Sequence, residues 1–189
     1  MSQATNSFDP SVYIDIPAKP VIFDGVRYRS KLEAKWGFFF HHLEWDCSYE
    51  PVSIGKWLPD FVLVGKTKPR KPIFVEVKPI DVFEIVDKLA HIPNYFEILL
   101  VGNGPQNSRN SGYPRVGWLR NDGEWCDAMI QRYSNGSIDF TPDIGFDGRG
   151  RMFGVEGGGV TIGDALYLQE ITGLWEIGCD AVKRDAVEI

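Results

Sequence analysis

The sequence predicts an α/β domain built on a mixed sheet, and three observations carry that expectation. The stretch "YRSKLEAKWGFFFHHLEW" holds Leu32, Trp36, Phe39, Phe40 and Leu43 on one stripe at helical spacing. Two β-branched and aromatic runs, "WLPDFVLV" and "PIFVEVK", are joined by the polar "GKTKPRK" and read as a hairpin. A further run, "FEILLVG", is nearly continuous in apolar residues, the pattern of a central strand covered on both faces.

The other elements follow in order. Residues 1–25, with Pro10, Pro17 and Pro20, read as an irregular arm. Ser30 is placed to cap the first helix, with Glu33 three positions on as its capping-box partner. "CSYEPVSI" is a short strand ended near Pro51. "IDVFEIVDKLAHI" is a helix with Phe83, Val86 and Leu89 or Ala90 on its buried face. The order to residue 102 is then α-β-β-β-α-β. "GNGPQNSRNSGYP" reads as a loop, "VGWLR" as a returning strand, and residues 121–160 as hairpins and turns. "TIGDALYLQEITGLWEIGCDAVKRDA" closes the chain as a helix broken near Gly173. The expected organisation is an arm (1–25), a core (26–120) and an acidic C-terminal elaboration packed on it (121–189).

Composition narrows the function classes. A chain of 189 residues, 43% hydrophobic and 13% aromatic, supports a real core and argues against wholesale disorder. The apolar runs fall short of a membrane span, and "MSQATNSFDP" lacks the basic and apolar regions of a signal peptide, so a cytoplasmic protein is expected. Three cysteines, Cys47, Cys126 and Cys179, lie far apart with no C-x-x-C pair, which points to reduced thiols and no structural zinc. The net charge of −6 argues at first against a nucleic-acid partner, but its distribution is uneven. Residues 1–120 carry 15 Lys/Arg against 13 Asp/Glu, a net +2, while residues 121–189 carry 5 against 13, a net −8. The acidic part is expected to face away from any polyanion.

The chemistry concentrates in the hairpin. Pairing Asp60 opposite Glu76 sets Val62 opposite Phe74 and leaves residues 65–71 as the loop. Opposed residues project to one face with Cβ atoms about 5 Å apart. Two carboxylates so placed repel unless a cation lies between them, and oxygen donors of this kind suit Mg²⁺ or Mn²⁺. Glu76 and Lys78 are i and i+2 and share that face, while Val75 and Val77 point into the core. Glu33 lies about 100° round the helix from Leu32 and looks across the sheet end. Two or three metal-binding carboxylates beside a lysine suit phosphodiester hydrolysis: the metal lowers the pKa of a bound water, and Lys78 orients that water or counters the developing charge.

The pattern "RSKLEAKW…YEP…LPDF…VEVKP" resembles the PD-(D/E)XK nuclease superfamily in its phage and mobile-element form. It is also similar to the catalytic domain of the endonuclease subunit of certain bacterial transposons. The resemblance covers about residues 26–102. It implies a restriction-endonuclease-like core, Mg²⁺-dependent (or Mn²⁺-dependent) cleavage of DNA in a bacterial or phage-infected cell, and Glu33, Asp60, Glu76 and Lys78 as catalytic positions. It adds the backbone carbonyl of Val77 to Asp60, Glu76 and Glu33 as metal ligands. Two other readings stay open: a nuclease-fold module that binds DNA or a protein without cutting, and an RNA-directed nuclease. A protein partner would use the C-terminal part, and a double-strand break would ask for a homodimer or two binding events.

The remaining cations divide between phosphate contact and ordinary surface roles. Arg27, Arg29, Lys31 and Lys35 precede or open the Glu33 helix, and Lys88 lies on the polar side of the second helix. All five are candidate nucleic-acid contacts, although a local ion pair with Glu33 competes for Arg29. Lys66, Lys68, Arg70 and Lys71 lie in the hairpin loop, at the far end of the strands from Asp60 and Glu76. His41 and His42 are expected to serve the helix C-terminus, and Glu50 to be an exposed strand-end residue in preference to a further acid at the site's edge.

Overall fold

A computed structural model describes residues 18–43, 45–64, 72–79, 89, 92–107, 114–121, 123–132, 138–142 and 168–189. Among these, ten strands and two helices follow the chain as β1 (Val21–Phe23), β2 (Val26–Tyr28), α1 (Lys31–His42), β3 (Asp46–Tyr49), β4 (Phe61–Val64), β5 (Ile73–Val77), β6 (Glu97–Asn107), β7 (Pro114–Asn121), β8 (Glu124–Arg132), β9 (Ile138–Pro142), α2 (Leu168–Asp185) and β10 (Val187–Glu188). The protein is a mixed α/β structure. Seven strands form one sheet in sequence order, β3 to β9, and β10, β1 and β2 form a small three-stranded sheet.

Every neighbouring pair in the large sheet is antiparallel except β5 and β6, which run parallel with Val75 beside Leu99 and Val77 beside Val101. A parallel pair needs a long crossover, and residues 78–96 supply it. The helix expected between these strands lies outside the described residues, apart from Leu89, which is helical and buried. The strand expected to be central is central: β6 has three strands on either side. Its apolar half, Ile98–Val101, is fully buried.

Both described helices pack on one face of the sheet. Trp36, Phe39 and Phe40 of α1 and Ile171 and Val182 of α2 share a core with Phe61, Leu63, Ile73, Val75, Val77, Leu99 and Val101. Burying each large side chain contributes about 1.5–3 kcal/mol. The indole N–H of Trp36 donates to Gly102 O at 2.8 Å, so its polar edge is satisfied inside the core. The opposite face is covered by Trp57, Leu89 and Ile92 over Phe74, Ile98, Leu100 and Trp118.

The buried stripe of α1 is rotated from the expected one. Ala34 and Gly37 join it, and Leu32 is only partly buried. Gly37 explains the rotation, since a Cβ there would lie 2.6 Å from the Tyr28 hydroxyl: the helix presses its smallest residue against β2. Ser30 caps α1 as expected, its hydroxyl accepting from Glu33 N at 3.1 Å. His41 and His42 occupy the last turn, with His42 Nδ1 against Phe38 O.

Three expectations are corrected. Residues 21–25 are not irregular: β1 and β2 form a hairpin across Asp24-Gly25, both left-handed (φ 49° and 73°). An Asp-Gly pair between short apolar runs is a strong type I′ signal. The strand at "FEILLVG" does not stop at Gly102. It continues to Asn107 through a register shift between Val101 and Gln106. Gly104 (φ 151°) allows this, because a Cβ there would meet the Trp175 indole at 2.7 Å. Finally, α2 runs unbroken through Gly173. A glycine costs a helix interior about 1 kcal/mol, and the burial of Ile171, Ala181 and Val182 outweighs it.

The sheet also runs on across residue 120, with β8 pairing β7 in the same sheet. Buried arginines tie this half together. Arg115 meets Asp127 at 3.4 Å and lies over the Trp118 ring, while Arg120 donates to the carbonyls of Leu89 and Pro93. Burial pushes Arg120 below its ordinary pKa. All three cysteines are free, and no described helix is long and apolar enough to cross a membrane.

Among the described glycines the closest approach is at Gly117, where a Cβ would lie 2.2 Å from Leu100 O. Gly117→Ala should therefore destabilise the fold by about 1–3 kcal/mol or more, lowering the thermal midpoint by about 2–4 °C per kcal/mol, as calorimetry would read.

Candidate functional site

The β4–β5 ladder pairs Phe61 with Val75, Val62 with Phe74 and Leu63 with Ile73, the register expected from the carboxylates. Asp60 lies one residue beyond the ladder, where the same register brings it alongside Glu76. Its N–H donates to Val75 O at 2.9 Å, and its carbonyl accepts from Glu50 N at 2.9 Å, which carries the pairing of β3 and β4 to their ends. Val75 and Val77 fill the helix-covered core while Glu76 points the other way, as alternation requires.

Asp60 is 1% exposed and Glu76 8%. A carboxylate at such depth needs partners. Asp60 Oδ2 accepts from Val77 N–H at 2.7 Å, and Arg29 Nη2 contacts its Oδ1. Glu76 Oε2 accepts from the buried indole N–H of Trp57 at 2.8 Å, and its Oε1 lies 2.6 Å from Lys78 Nζ. Burial pushes the Asp60 pKa up to about 7, with the Glu76 charge adding to it; the Val77 N–H and Lys78 pull it back. Arg29 favours the ionised form of Asp60, so the two cations are what this crowded pair depends on.

Glu33 is 8% exposed and reaches the sheet end from the helix side. Its carboxylate accepts from the Ser30 hydroxyl at 2.9 Å, the Arg29 N–H at 3.1 Å and the Tyr49 hydroxyl. The capping box is thus present in a modified form, with the carboxylate bonded to the cap hydroxyl and to the amide before it. Burial, followed by the Glu33 hydrogen bond, raises the Tyr49 pKa. Arg29 links Glu33 to the strand pair: Nε lies 3.8 Å from Glu33 Oε2 and 2.8 Å from Glu50 Oε1. The Glu50 approach is a charge contact rather than an aligned hydrogen bond. Although burial opposes its charge, Arg29 is held above its ordinary pKa by Asp60 and Glu33, with Tyr49 and Glu50 adding to them.

Glu50 is corrected from an exposed strand-end residue. Its backbone is left-handed (φ 45°), which turns the side chain in toward Arg29. A non-glycine residue in that region carries strain, and such strain clusters at functional sites. Trp57 and Tyr49 went unread in the sequence because an isolated aromatic reads as core. The available signal was position: Trp57 stands three residues before Asp60, and Tyr49 directly precedes Glu50.

The expected phosphate contacts separate. Arg29 joins the carboxylate cluster. Lys31 pairs with Glu188 at 2.6 Å, Arg27 is exposed on β2, and Lys35 is partly buried on α1. Lys88 and the loop cations Lys66, Lys68, Arg70 and Lys71 lie outside the described residues.

Among the described residues no group of three His, Cys, Asp or Glu side chains is arranged to hold a metal ion. The donor set nevertheless fits Mg²⁺ or Mn²⁺, which need only one or two carboxylates with water and substrate oxygens for the rest. Asp60 and Glu76 are hard oxygen donors whose front oxygens face cationic side chains, so a positive charge is already favoured there. Comparison with family models, curated proteins and solved structures gave no match.

Tyr49→Phe keeps the ring and removes the hydroxyl that bonds Glu33 and the Arg29 amide. The expected loss is about 1–3 kcal/mol, seen as a lower urea midpoint with an unchanged m-value.

Proposed function

We propose that the protein is a metal-dependent endonuclease that hydrolyses DNA phosphodiester bonds in phage or mobile-element DNA metabolism. The reading is carried by one observation: two buried carboxylates, Asp60 and Glu76, stand at the same end of adjacent strands with Lys78 in contact with Glu76. The order α1-β3-β4-β5-β6 supports a restriction-endonuclease-like core, and in the PD…E-x-K spacing Asp60 directly precedes β4, Glu76 lies on β5 and Lys78 directly follows it, with the β4–β5 pairing in the expected register.

In this reading Asp60 and Glu76, with the Val77 carbonyl and Glu33 as further candidates, hold Mg²⁺ or Mn²⁺. The bound ion would supply a Lewis acid and a water of lowered pKa. Val77 N–H and Trp57 Nε1–H hold the rear oxygens of the two carboxylates, fixing the direction of the front ones. Lys78 lies within reach of the same front to orient the attacking water and offset charge on the phosphate. The core on the helix side excludes water from behind Val75 and Val77.

The engagement of Glu33 by Ser30 and Tyr49 favours a second reading, in which cutting depends on a partner or on substrate. A capped, triply bonded carboxylate is a weaker candidate ligand than Asp60 or Glu76. RNA in place of DNA uses the same chemistry.

Incubation with supercoiled, linear, single-stranded and branched DNA and with structured RNA, under Mg²⁺, Mn²⁺ or EDTA, separates these readings. Metal-dependent DNA cleavage is expected, falling by about 100-fold or more in Asp60→Ala and Lys78→Ala. Cleavage that survives both substitutions would falsify the site, and tight binding without cleavage would favour the module. Trp57→Phe, which removes the donor behind Glu76, should cost about 10–100-fold in metal affinity or activity.

A further inference from the structure

The four oxygens of Asp60 and Glu76 are held in two different ways. Asp60 Oδ2 and Glu76 Oε2 accept from neutral, buried donors, Val77 N–H at 2.7 Å and Trp57 Nε1–H at 2.8 Å. Asp60 Oδ1 and Glu76 Oε1 meet cations instead, Arg29 and Lys78. The neutral donors are fixed by a strand and a packed indole, whereas the cationic side chains are 52% and 37% exposed. A divalent ion bound by this pair would compete with Arg29 and Lys78 for Asp60 Oδ1 and Glu76 Oε1, the two oxygens that no neutral donor engages.

Arg29 is the more consequential of the two. One guanidinium reaches Asp60, Glu33 and Glu50, carboxylates delivered by three separate segments of the chain. With Glu76 and Lys78 the cluster sets four carboxylates against two cations. Without the Arg29 charge four carboxylates would face Lys78 alone, and a proton or another cation would have to offset their repulsion. The left-handed Glu50 also holds its carboxylate against Arg29 rather than against the strand pair.

We propose that Arg29 is an internal counter-ion that occupies the carboxylate cluster when no divalent cation is bound and exchanges with that cation on loading, so that Arg29 sets the metal affinity of the site. The inference rests on the metal-dependent reading of Asp60 and Glu76, and goes beyond it by giving Arg29 a role opposed to metal uptake.

Calorimetric titration of the full chain with Mn²⁺ alone, without nucleic acid, tests the exchange. The proteins compared are the parent, Arg29→Gln, Arg29→Lys and Asp60→Asn, each checked for native circular dichroism. Arg29→Gln is expected to bind Mn²⁺ about tenfold tighter than the parent or more. Arg29→Lys, which keeps the charge without the fork, should fall between them and serves alone if the glutamine variant does not fold. Asp60→Asn should remove the uptake. Equal affinity in the parent and both Arg29 variants, with uptake still lost in Asp60→Asn, overturns the exchange and leaves the metal site standing. Absence of uptake in every protein, or uptake that Asp60→Asn leaves intact, overturns the metal reading and the exchange with it.

Discussion

The ladder between β4 and β5 is the constraint on which the rest of the structure depends. Its register decides which side chains of "DFVLV" and "IFVEV" face the helices and which face the far side, and a slip of one residue would exchange the two sets. In the observed register Phe61, Leu63, Val75 and Val77 enter the helix-covered core. The alternate positions, Val62, Phe74 and Glu76, take the other face, and Asp60 arrives beside Glu76 where the ladder ends. The parallel strand β6 then locks β5 from its other edge, with Lys78 N bonded to Val101 O at 2.9 Å. A carboxylate on β5 is therefore carried by a strand paired on both sides and packed on one face by aromatics, which leaves its backbone little freedom.

Electrostatics shape the end of the sheet as much as packing does. Glu33, Glu50, Asp60 and Glu76 come from α1, the turn after β3, and the ends of β4 and β5. Mutual repulsion among partly buried carboxylates is tolerated because Arg29 and Lys78 sit among them. Buried ion pairs of this kind add little net stability over a well-packed apolar alternative. Their presence in a core otherwise rich in Trp and Phe points to a demand other than stability.

Much of this was legible in the sequence, and the reasons differ by element. The aromatic part of the α1 stripe, its Ser30 cap, the β4–β5 register and the central place of β6 follow from patterns with a fixed period or a fixed chemical partner, whereas the turn of that stripe toward Ala34 and Gly37 depends on Tyr28. The extension of β6 to Asn107 was not legible, because its last residues, "GNGPQN", carry turn composition, and the strand continues through pairing with β7 that Gly104, lying against Trp175, permits. Continuity of α2 through Gly173 likewise depends on tertiary burial, which overrides local propensity. At the site, the carboxylates and Lys78 stood out because charges in apolar strands are anomalous. Trp57 and Tyr49 did not, since their polar atoms matter only through contacts with distant segments. Arg29 was seen both as a phosphate contact and as a partner of Glu33. Its hold on Asp60, 31 positions away, is a fact of three dimensions.

The small sheet has a consequence for the order of folding. β1 pairs with β10, Val21 beside Glu188, so chain separated by more than 160 residues must meet before that sheet is complete. Lys31, the first residue of the helix that carries Glu33, is tied to the same Glu188. Contacts of such long sequence separation are slow to close. During synthesis the large sheet could pair while the lead-in to α1 still waited for its last strand. The segment that delivers Arg29 and Glu33, already held by Tyr49 and Ser30, would then gain its tie to Glu188 last.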